Sequence, residues 1–382
     1  MLIVADAKNS LVNAAFQGLG EVRTLPTREI SRAALKDADV VVVRSETEIN
    51  ADLLEGTNVR FVATATIGTD HVDLEYLSGR GIGFANAPGS NANSVAEYLV
   101  AALLVLARDG TWSLQKSSIA IIGVGNVGSR VERMARALGM DVLLNDPPLA
   151  RMTGDPKYLP LEDLLHADIV SLHVPLTSGG EDPTYHLFDG SHIGRLKQGS
   201  VLVNTSRGAV VETDALKTAL LTGHLSGAVL DVWEKEPRID TQLLNLSTIG
   251  TPHIAGYSLD GKVNAARAIF QAVAAHFGLT APWTLDERNL PGPEFPLIRV
   301  EDGSQPSSRL LLQVVQKCYD IEADDAGLRQ MLALPEGERV AYFRALRSGY
   351  RVRREFSNST VELPDGLRET AAILRALGFR LP

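Results

Sequence analysis

The stretch Ile119-Ala-Ile-Ile-Gly-Val-Gly-Asn-Val-Gly128 decides the fold of this chain of 382 residues. Four apolar residues lead into the glycine pattern Gly123-x-Gly125-x-x-Gly128, and a helical pattern follows it. The glycines permit a tight turn, close approach of a pyrophosphate, and packing of the helix on the strand. The free amides at the helix N-terminus suit phosphate groups. The stretch therefore predicts a strand, a turn and a helix that bind a dinucleotide.

The residue that ends the next predicted strand bears on which dinucleotide binds. That strand covers residues 141–145 and ends at Asp146, about 20 residues after the glycines, where a carboxylate binds the ribose hydroxyls of NAD. Asp146 would repel a 2′-phosphate, although Arg151 keeps NADP open as an alternative. The pattern favours NAD, with contacts from Gly123, Gly125, Asn126, Val127, Gly128 and Asp146.

Composition narrows the class of protein. An apolar content of 45% and a charged content of 22% are typical of a globular protein, and the length predicts two or three domains. A net charge of −9 argues against nucleic acid or an anionic membrane as the main partner. The single cysteine, Cys318, allows no internal disulfide, and no cysteine or histidine spacing indicates a metal site. The apolar run at the N-terminus is too short for a signal peptide, because the acidic residue Asp6 interrupts it. We therefore expect a cytoplasmic protein.

Apolar runs divide the chain into an α/β arrangement. Continuous apolar runs, in which apolar and polar residues do not alternate, are typical of parallel strands that are covered on both faces. The first domain takes residues 1–93 and 257–285, with strands predicted at 2–5, 40–43, 61–64 and 83–86. The dinucleotide domain takes residues 94–256, with strands predicted at 118–122, 141–145, 169–172, 200–204, 227–231 and 248–250. Ser94-x-x-Glu97 predicts a capping box, and residues 286–382 form a predicted third domain.

Three motifs follow successive strands of the dinucleotide domain. They are Asn204-Thr-Ser-Arg207-Gly208, Asp231-Val-Trp-Glu-Lys-Glu236-Pro237 and Thr251-Pro-His253-Ile-Ala-Gly256. Strand ends of one parallel sheet converge, so Arg207, Glu236 and His253 are expected to meet. Oxidation of a carbinol carbon needs a base, which suits histidine, and a carboxylate beside an imidazole fixes its tautomer. An arginine offers a planar fork to a substrate carboxylate. The set predicts the catalytic residues Arg207, Glu236 and His253.

These motifs resemble the D-isomer-specific 2-hydroxyacid dehydrogenases over about residues 1–280. The resemblance implies two Rossmann-like or flavodoxin-like parallel-sheet domains, namely a split substrate domain and an inserted NAD domain. It implies substrate contacts from Ser45, Thr66 and Tyr257, and Arg44 lies in the same strand-end loop as Ser45. It also implies NAD contacts from Asp146, Val174, Ser206, Arg207, Gly208, Asp231 and Gly256.

Three features narrow the resemblance within that family. Little chain separates Arg108 from Gly123, where the family usually has a dimer arm. Tyr257 follows the histidine motif, and residues 286–382 extend beyond the shared core. The features resemble a member that has an extra C-terminal α+β dimerisation domain and a phosphorylated 2-hydroxy acid as substrate.

The C-terminal region combines an apolar stripe with a cluster of arginines. The stripe is Val340, Phe343, Leu346 and Tyr350, and the arginines are Arg339, Arg344, Arg347, Arg351, Arg353 and Arg354. One interpretation is a solvated basic helix face. The other is a homodimerisation domain that directs an arginine, Arg347, to the substrate phosphate, because the fork of arginine binds two oxygens at once.

Two alternatives to this function stay open. The chain could be another D-2-hydroxyacid dehydrogenase, acting on phosphoglycerate, hydroxypyruvate, glycerate or lactate. It could also be a binding protein that senses NAD and has lost catalysis. The presence of Arg207, Glu236 and His253 together favours an enzyme.

Overall fold

The computed structural model describes residues 1–108 and 112–382, and at Ser10 it describes the backbone alone. Its strands, β1 to β13 in chain order, are Leu2–Asp6, Glu21–Leu25, Val40–Val43, Phe61–Thr64, Gly83–Ala85, Ser118–Ile122, Asp141–Asn145, Ile169–Leu172, Val201–Asn204, Gly227–Leu230, Ile249–Gly250, Leu297–Arg299 and Thr360–Glu362. Its α-helices, α1 to α15, are Ser10–Phe16, Arg32–Leu35, Ala51–Leu54, Leu74–Gly79, Ala92–Leu106, Asn126–Ala137, Pro147–Thr153, Gly190–Arg195, Thr213–Leu221, Thr241–Leu246, Leu259–His276, Ser307–Cys318, Ile321–Arg329, Glu336–Ser348 and Arg368–Leu377.

The described chain divides into two compact units. The first unit comprises Met1–Asn91 and Ser258–Pro291, and the second comprises Ala92–Tyr257 and Gly292–Pro382. The chain therefore leaves the first unit before α5 and returns to it at the start of α11. In the parts of the chain that the structure describes, no helix is both long and apolar enough to cross a membrane.

The first unit is built on a parallel sheet with the order β2-β1-β3-β4-β5. Its central strand β3 consists of four valines, all buried, because helices cover both faces. Helix α11 covers one face with Ala265, Ile269, Phe270 and Val273. The strand order reverses between β1 and β3, and loops at such a switch point commonly bind ligands. Arg44 and Ser45 lie in the loop that follows β3.

The second unit contains a parallel sheet with the order β11-β10-β9-β8-β6-β7. Its switch point lies between β6 and β8, so the glycine turn after β6 occupies the expected ligand-binding position. One face packs on α5 and α6 through residues such as Tyr98 and Met134, and the other on α8, α9 and α10. The predicted α/β class with parallel sheets is confirmed.

Residues of the C-terminal region join the hydrophobic clusters on both faces of the six-stranded sheet of the second unit. Helices α12 and α15 bury Leu310, Val314 and Leu374 in the cluster that contains α5 and α6. Leu328 of α13 and Phe343 of α14 join the cluster on the opposite face. Strands β12 and β13 form a separate parallel pair, which confirms the predicted α+β content. The contacts group this region with the second unit, and its role as a separate dimerisation domain stays a prediction.

Local predictions differ from the structure at several points. Strand β2 was not predicted, because it is an edge strand with mostly exposed residues. The predicted capping box is wrong: α5 begins at Ala92, and the Ser94 hydroxyl donates to Glu355 at 2.6 Å. The Glu97 carboxylate instead accepts the amide of Phe356 at 2.8 Å. Ser94 and Glu97 therefore form hydrogen bonds with residues far away in the sequence rather than with the first turn of their own helix.

Candidate active site

The glycine turn between β6 and α6 has the geometry that a dinucleotide requires. Gly123 has a φ of +88°, and a Cβ added there would lie 2.7 Å from the carbonyl oxygen of His173. A Cβ on Gly128 would lie 2.0 Å from the carbonyl oxygen of Gly123, so only glycine allows this close packing. Among the described residues, a Cβ on Gly125 would meet no atom within 4 Å, and no side chain caps the N-terminus of α6. The open backbone and helix amides fit a pyrophosphate.

The other residues predicted to contact NAD belong to the same unit as the turn. Asn126 and Val127 begin α6, and Val174 lies so close that a Cβ on Gly123 would be 2.9 Å from its Cγ1. Ser206 follows β9, where its amide and hydroxyl donate to the side chain of Asn204 at 3.0 and 2.8 Å. Gly256 lies in the turn that the amide of Tyr257 closes on the carbonyl of Ile254.

Asp146 holds the glycine turn against the end of β7. Its Oδ2 accepts the amide of Val124 at 2.8 Å, and its Oδ1 accepts the amide of Leu149 at 3.0 Å. A carboxylate oxygen has a further lone pair for a ribose hydroxyl. Arg151, which left NADP open, forms ion pairs with Asp182 and, at 3.4 Å, with Glu181. Since these carboxylates already pair with Arg151, the geometry fits NAD better than NADP.

Glu236 and His253 form a hydrogen-bonded pair. Nδ1 of His253 is bonded to Oε1 of Glu236, and Oε2 of Glu236 accepts the amide of Trp233 at 3.2 Å. Burial would raise the pKa of the Glu236 carboxyl, but the charge and hydrogen bond of His253 and the charge of Arg347 outweigh it. The pKa of Glu236 therefore lies below its usual value, and the residue is ionised beside the imidazole.

The backbone of His253 is held by Asp231, whose side chain lies inside the protein. Asp231 is 1% exposed, and its carboxylate accepts the amides of Ile254 and Ala255 at 2.8 and 2.9 Å and the hydroxyl of Thr251 at 2.7 Å. Its carbonyl accepts the amide of His253 at 2.7 Å. The carboxylate thus acts as an anchor for the loop, and its predicted contact with NAD stays a prediction.

The loop of Arg207 packs directly on the loop of Glu236. A Cβ on Gly208 would lie 2.0 Å from the carbonyl carbon of Trp233, so the two backbones are in close contact. The Asn204 side chain donates to the carbonyl of Arg207 at 2.9 Å, which fixes the turn after β9. The structure thus brings the three predicted motifs together through their backbones, and Glu236 and His253 through their side chains as well.

Tyr257 follows the His253 motif in the chain, and Arg347 of α14 lies beside it. The Cζ atom of Arg347 is 5.9 Å from the centre of the Tyr257 ring, and the charge of Arg347 lowers the pKa of Glu236. Nε of Arg347 is buried and has no hydrogen-bond partner among the described residues. A buried guanidinium nitrogen without a partner suits an anionic ligand. Of the arginine cluster, Arg344 is exposed, whereas Arg353 is 3% exposed.

Three predicted substrate residues belong to the first unit. Arg44 and Ser45 follow β3, and Nη1 of Arg44 is buried without a hydrogen-bond partner in residues 1–108 and 112–382. The Thr66 hydroxyl lies 2.8 Å from the hydroxyl of Thr64 and donates to the carbonyl of Gly68 at 3.0 Å. These residues occupy strand-end loops, where ligands of α/β sheets bind.

Two buried residues of α5 connect to this site, and sequence reasoning missed their roles. The Tyr98 hydroxyl donates to the hydroxyl of Thr251 at 2.9 Å, since Thr251 itself donates to Asp231. Glu97 pairs with Arg353 at 2.8 Å. The one available signal was a polar side chain within the apolar run of α5, where a buried charge requires a partner.

Comparison with known proteins places these motifs in a family. Residues 105–255 match the D-isomer specific 2-hydroxyacid dehydrogenase, NAD binding domain, and residues 289–378 match a domain of unknown function. The erythronate-4-phosphate dehydrogenase of Salinibacter ruber is 46% identical over 366 residues, which cover 94% of this chain and 93% of the relative. That of Hahella chejuensis is 42% identical over 381 residues, covering 100% and 99%. The solved D-lactate dehydrogenase of Aquifex aeolicus, complexed with NAD and lactic acid, is similar with a TM-score of 0.60 and 27% identity, covering 73% of this chain and 96% of that one.

Proposed function

Because the chain belongs to the erythronate-4-phosphate dehydrogenases of the D-isomer-specific 2-hydroxyacid dehydrogenase family, we propose that it oxidises 4-phospho-D-erythronate with NAD. The product is 3-hydroxy-2-oxo-4-phosphooxybutanoate, and the reaction serves pyridoxal phosphate biosynthesis. The observation that carries the proposal is the Glu236–His253 pair, whose loops follow β10 and β11 of the sheet that also bears the dinucleotide turn.

In the proposed reaction His253 is the base. Nδ1 of the imidazole donates to Glu236, so Nε2 carries the lone pair that takes the proton of the substrate hydroxyl. NAD, which the glycine turn and Asp146 would hold, would supply the acceptor for the hydride of C2. The imidazole gains a positive charge in this step, and the ionised carboxylate of Glu236 stabilises it. No proton passes to Glu236.

Arg207 binds the substrate carboxylate in this proposal. Its guanidinium is partly exposed, and one of its nitrogens donates to the carbonyl of Ser206 at 2.8 Å. The planar fork of a guanidinium matches the two oxygens of a carboxylate, and the positive charge stabilises negative charge on the C2 oxygen. Its neighbours Ser206 and Gly208, with Val174, Asp231 and Gly256, are proposed to contact NAD around the reacting carbon.

Arg347 binds the 4-phosphate in this proposal. Two observations support this assignment: the buried Nε has no hydrogen-bond partner among the described residues, and the ring of Tyr257 lies below the guanidinium. Tyr257 is proposed to contact the substrate beside Arg347. Arg44, Ser45 and Thr66 are proposed substrate ligands on the first unit, where the buried Nη1 of Arg44 also suits an anionic group.

We also propose that the enzyme is a cytoplasmic homodimer formed through residues 286–382. The match of residues 289–378 to a separate domain and the absence of room for the usual dimer arm before Gly123 support the dimer. A single cysteine, which permits no internal disulfide, agrees with a reducing compartment.

A comparison of substrates tests the proposed activity. The appearance of NADH is followed with 4-phospho-D-erythronate, 3-phospho-D-glycerate and unphosphorylated D-erythronate. We expect kcat/KM to be highest for 4-phospho-D-erythronate by at least about tenfold, or roughly 1.4 kcal/mol. A higher kcat/KM for 3-phospho-D-glycerate would assign the chain to another dehydrogenase. Binding of NAD without turnover of any of the acids would indicate a sensing protein.

A further inference from the structure

The loop that carries His253 needs support because its backbone is strained. We call residues 251–257 the His253 loop. His253 has a φ of +57°, in the left-handed region that non-glycine residues rarely adopt. Such a conformation persists only where the surrounding structure enforces it. The contacts of Asp231 with Ile254 and Ala255 hold the middle of the loop. The end of the loop, at Tyr257, has a different support.

Arg353, from the C-terminal region, holds that end. Its Nε donates to the carbonyl oxygen of Tyr257 at 3.1 Å, and its Nη2 donates to the carbonyl oxygen of Ser94 at 3.3 Å. Its Cζ lies 4.4 Å from the centre of the Tyr319 ring. The guanidinium is thus fixed from several sides, and a single side chain ties the His253 loop to helix α5.

Glu97 of α5 orients this arginine. Its Oε2 accepts Nη1 of Arg353 at 2.8 Å, and its Oε1 accepts the amide of Phe356 at 2.8 Å and the amide group of Asn93 at 3.0 Å. The side chains of Glu97 and Arg353 are 0% and 1% exposed. A buried Glu97–Arg353 pair with all these hydrogen bonds has one geometry, whereas the ammonium of lysine could not reach the same acceptors at once.

The two supports of the His253 loop are also connected to each other. The ring of Tyr319, under Arg353, lies 5.9 Å from the ring of Tyr98. The Tyr98 hydroxyl donates to Thr251 at 2.9 Å, and Thr251 donates to Asp231. Contacts therefore run without a break from the C-terminal region to the anchor of His253.

We propose that Arg353 is a positioning residue for His253, and that the C-terminal region completes the active site of its own chain in addition to any role in dimerisation. Arg353 acts through the carbonyl of Tyr257 and does not touch the substrate. The proposal rests on the proposed role of His253 as base. It predicts that the fork of Arg353, rather than its charge, supports turnover.

The test compares Arg353→Lys with Arg329→Lys, in the full-length enzyme. Arg329 is a matched control because it lies in α13 of the C-terminal region, pairs with Asp325 at 2.8 Å and donates to the carbonyls of Leu244 and Ser247. For Arg353→Lys we expect kcat to fall by about ten- to a hundredfold, with the KM for NAD unchanged. We expect Arg329→Lys to retain the kcat of the native enzyme at temperatures below its unfolding transition.

Hydrogen exchange of the His253 loop gives a measurement that does not depend on the substrate. Peptides that cover residues 251–257 should exchange faster in Arg353→Lys than in the native protein and in Arg329→Lys. If the substrate proposal fails, this difference in exchange persists, so the two proposals are separable. A folded Arg353→Lys with native kcat and native exchange would overturn the inference, as would an equal loss in the control. Should Arg353→Lys not fold, kcat and hydrogen exchange are measured in Glu97→Gln instead. The amide nitrogen of glutamine cannot accept a hydrogen bond, so this variant loses the contact with either Arg353 or Phe356.

Discussion

Nδ1 of His253 is hydrogen-bonded to Oε1 of Glu236, although the two residues stand on different loops after β10 and β11. Within the loop after β10, Trp233 donates its amide to Glu236, and Asp231 of the same loop accepts the amide of His253 from the loop after β11. The indole of Trp233 also donates to the carbonyl of Thr251 at 2.9 Å and thereby joins the loops. Hydrogen bonds within and between the two loops therefore position the pair.

The ionised state of Glu236 predicts how stability depends on pH. The pKa of its carboxyl is lowered from the ordinary value of 4.5, so the folded protein favours the carboxylate. The stabilisation it provides is present above about pH 4.5 and is lost as the pH falls through the lowered pKa. We expect Glu236→Gln to lower the free energy of unfolding by about 1–3 kcal/mol near pH 7 and by less below pH 4.

Urea denaturation of both proteins over a series of pH values measures this difference. Exposed Glu369, in α15, provides the control substitution Glu369→Gln. A difference between the native protein and Glu236→Gln that stays constant from neutral to acidic pH would contradict the prediction, because it would mean that the carboxylate has no preferred charge state in the fold.

His253→Ala is expected to lower kcat by at least about 10²-fold, the low end of general-base contributions. Binding of NAD should change little, because the glycine turn and Asp146 lie on other loops. Steady-state kinetics and NADH titration measure the two effects. The matched control is His166→Ala, at an exposed position. Near-native turnover of His253→Ala would show that another group takes the proton.

The sequence predicted those parts of the fold that depend on local patterns. Glycine, strand and helix follow one another within a few residues, so the turn at Gly123 and the buried strands were predictable from residue type. Helix α6 begins at Asn126, within the glycine pattern itself, so that Gly128 lies in its first turn and packs on Gly123.

Contacts between distant residues were beyond such reasoning. Glu97 sits three residues after Ser94, in the spacing of a capping box, yet it pairs with Arg353, which no local pattern connects to it. Strands β12 and β13 pair across most of the C-terminal region, with Leu297 beside Thr360. The Arg207, Glu236 and His253 motifs were found because each directly follows a strand, whereas Arg353 follows no such rule.

Cofactor choice is predicted to depend on Asp146. We expect the native enzyme to prefer NAD over NADP at saturating substrate, and Asp146→Asn to reduce that preference, since the amide no longer repels a 2′-phosphate. Kinetics with both cofactors measure the ratio of kcat/KM. A preference of the native enzyme for NADP would overturn the prediction and would indicate that Arg151 exchanges Asp182 for the phosphate.

Deletion of the chain from Arg309 onward is expected to give a monomeric or insoluble protein. The deletion removes Leu310, Val314, Leu374 and other buried side chains from the cluster that contains α5. Each such side chain contributes about 1.5–3 kcal/mol, so several of them equal the whole stability of a typical domain, about 5–15 kcal/mol. Sedimentation of the soluble fraction measures the outcome. A truncated chain that remains a dimer would contradict the proposed role of the C-terminal region.

Arg347→Ala is expected to raise the KM for 4-phospho-D-erythronate more than the KM for D-erythronate. The guanidinium of Arg347 has a buried Nε without a partner in the described part of the chain, and it lies over Tyr257, so an anionic group is the ligand that it suits. Loss of a hydrogen bond to a charged group costs about 1.5–3 kcal/mol, which corresponds to at least about a tenfold increase in KM. Arg344→Ala, an exposed position in the same helix α14, is the matched control and should leave both KM values unchanged. Equal increases in KM for the two acids would show that Arg347 supports Glu236 rather than the phosphate, because only a contact with the phosphate distinguishes them.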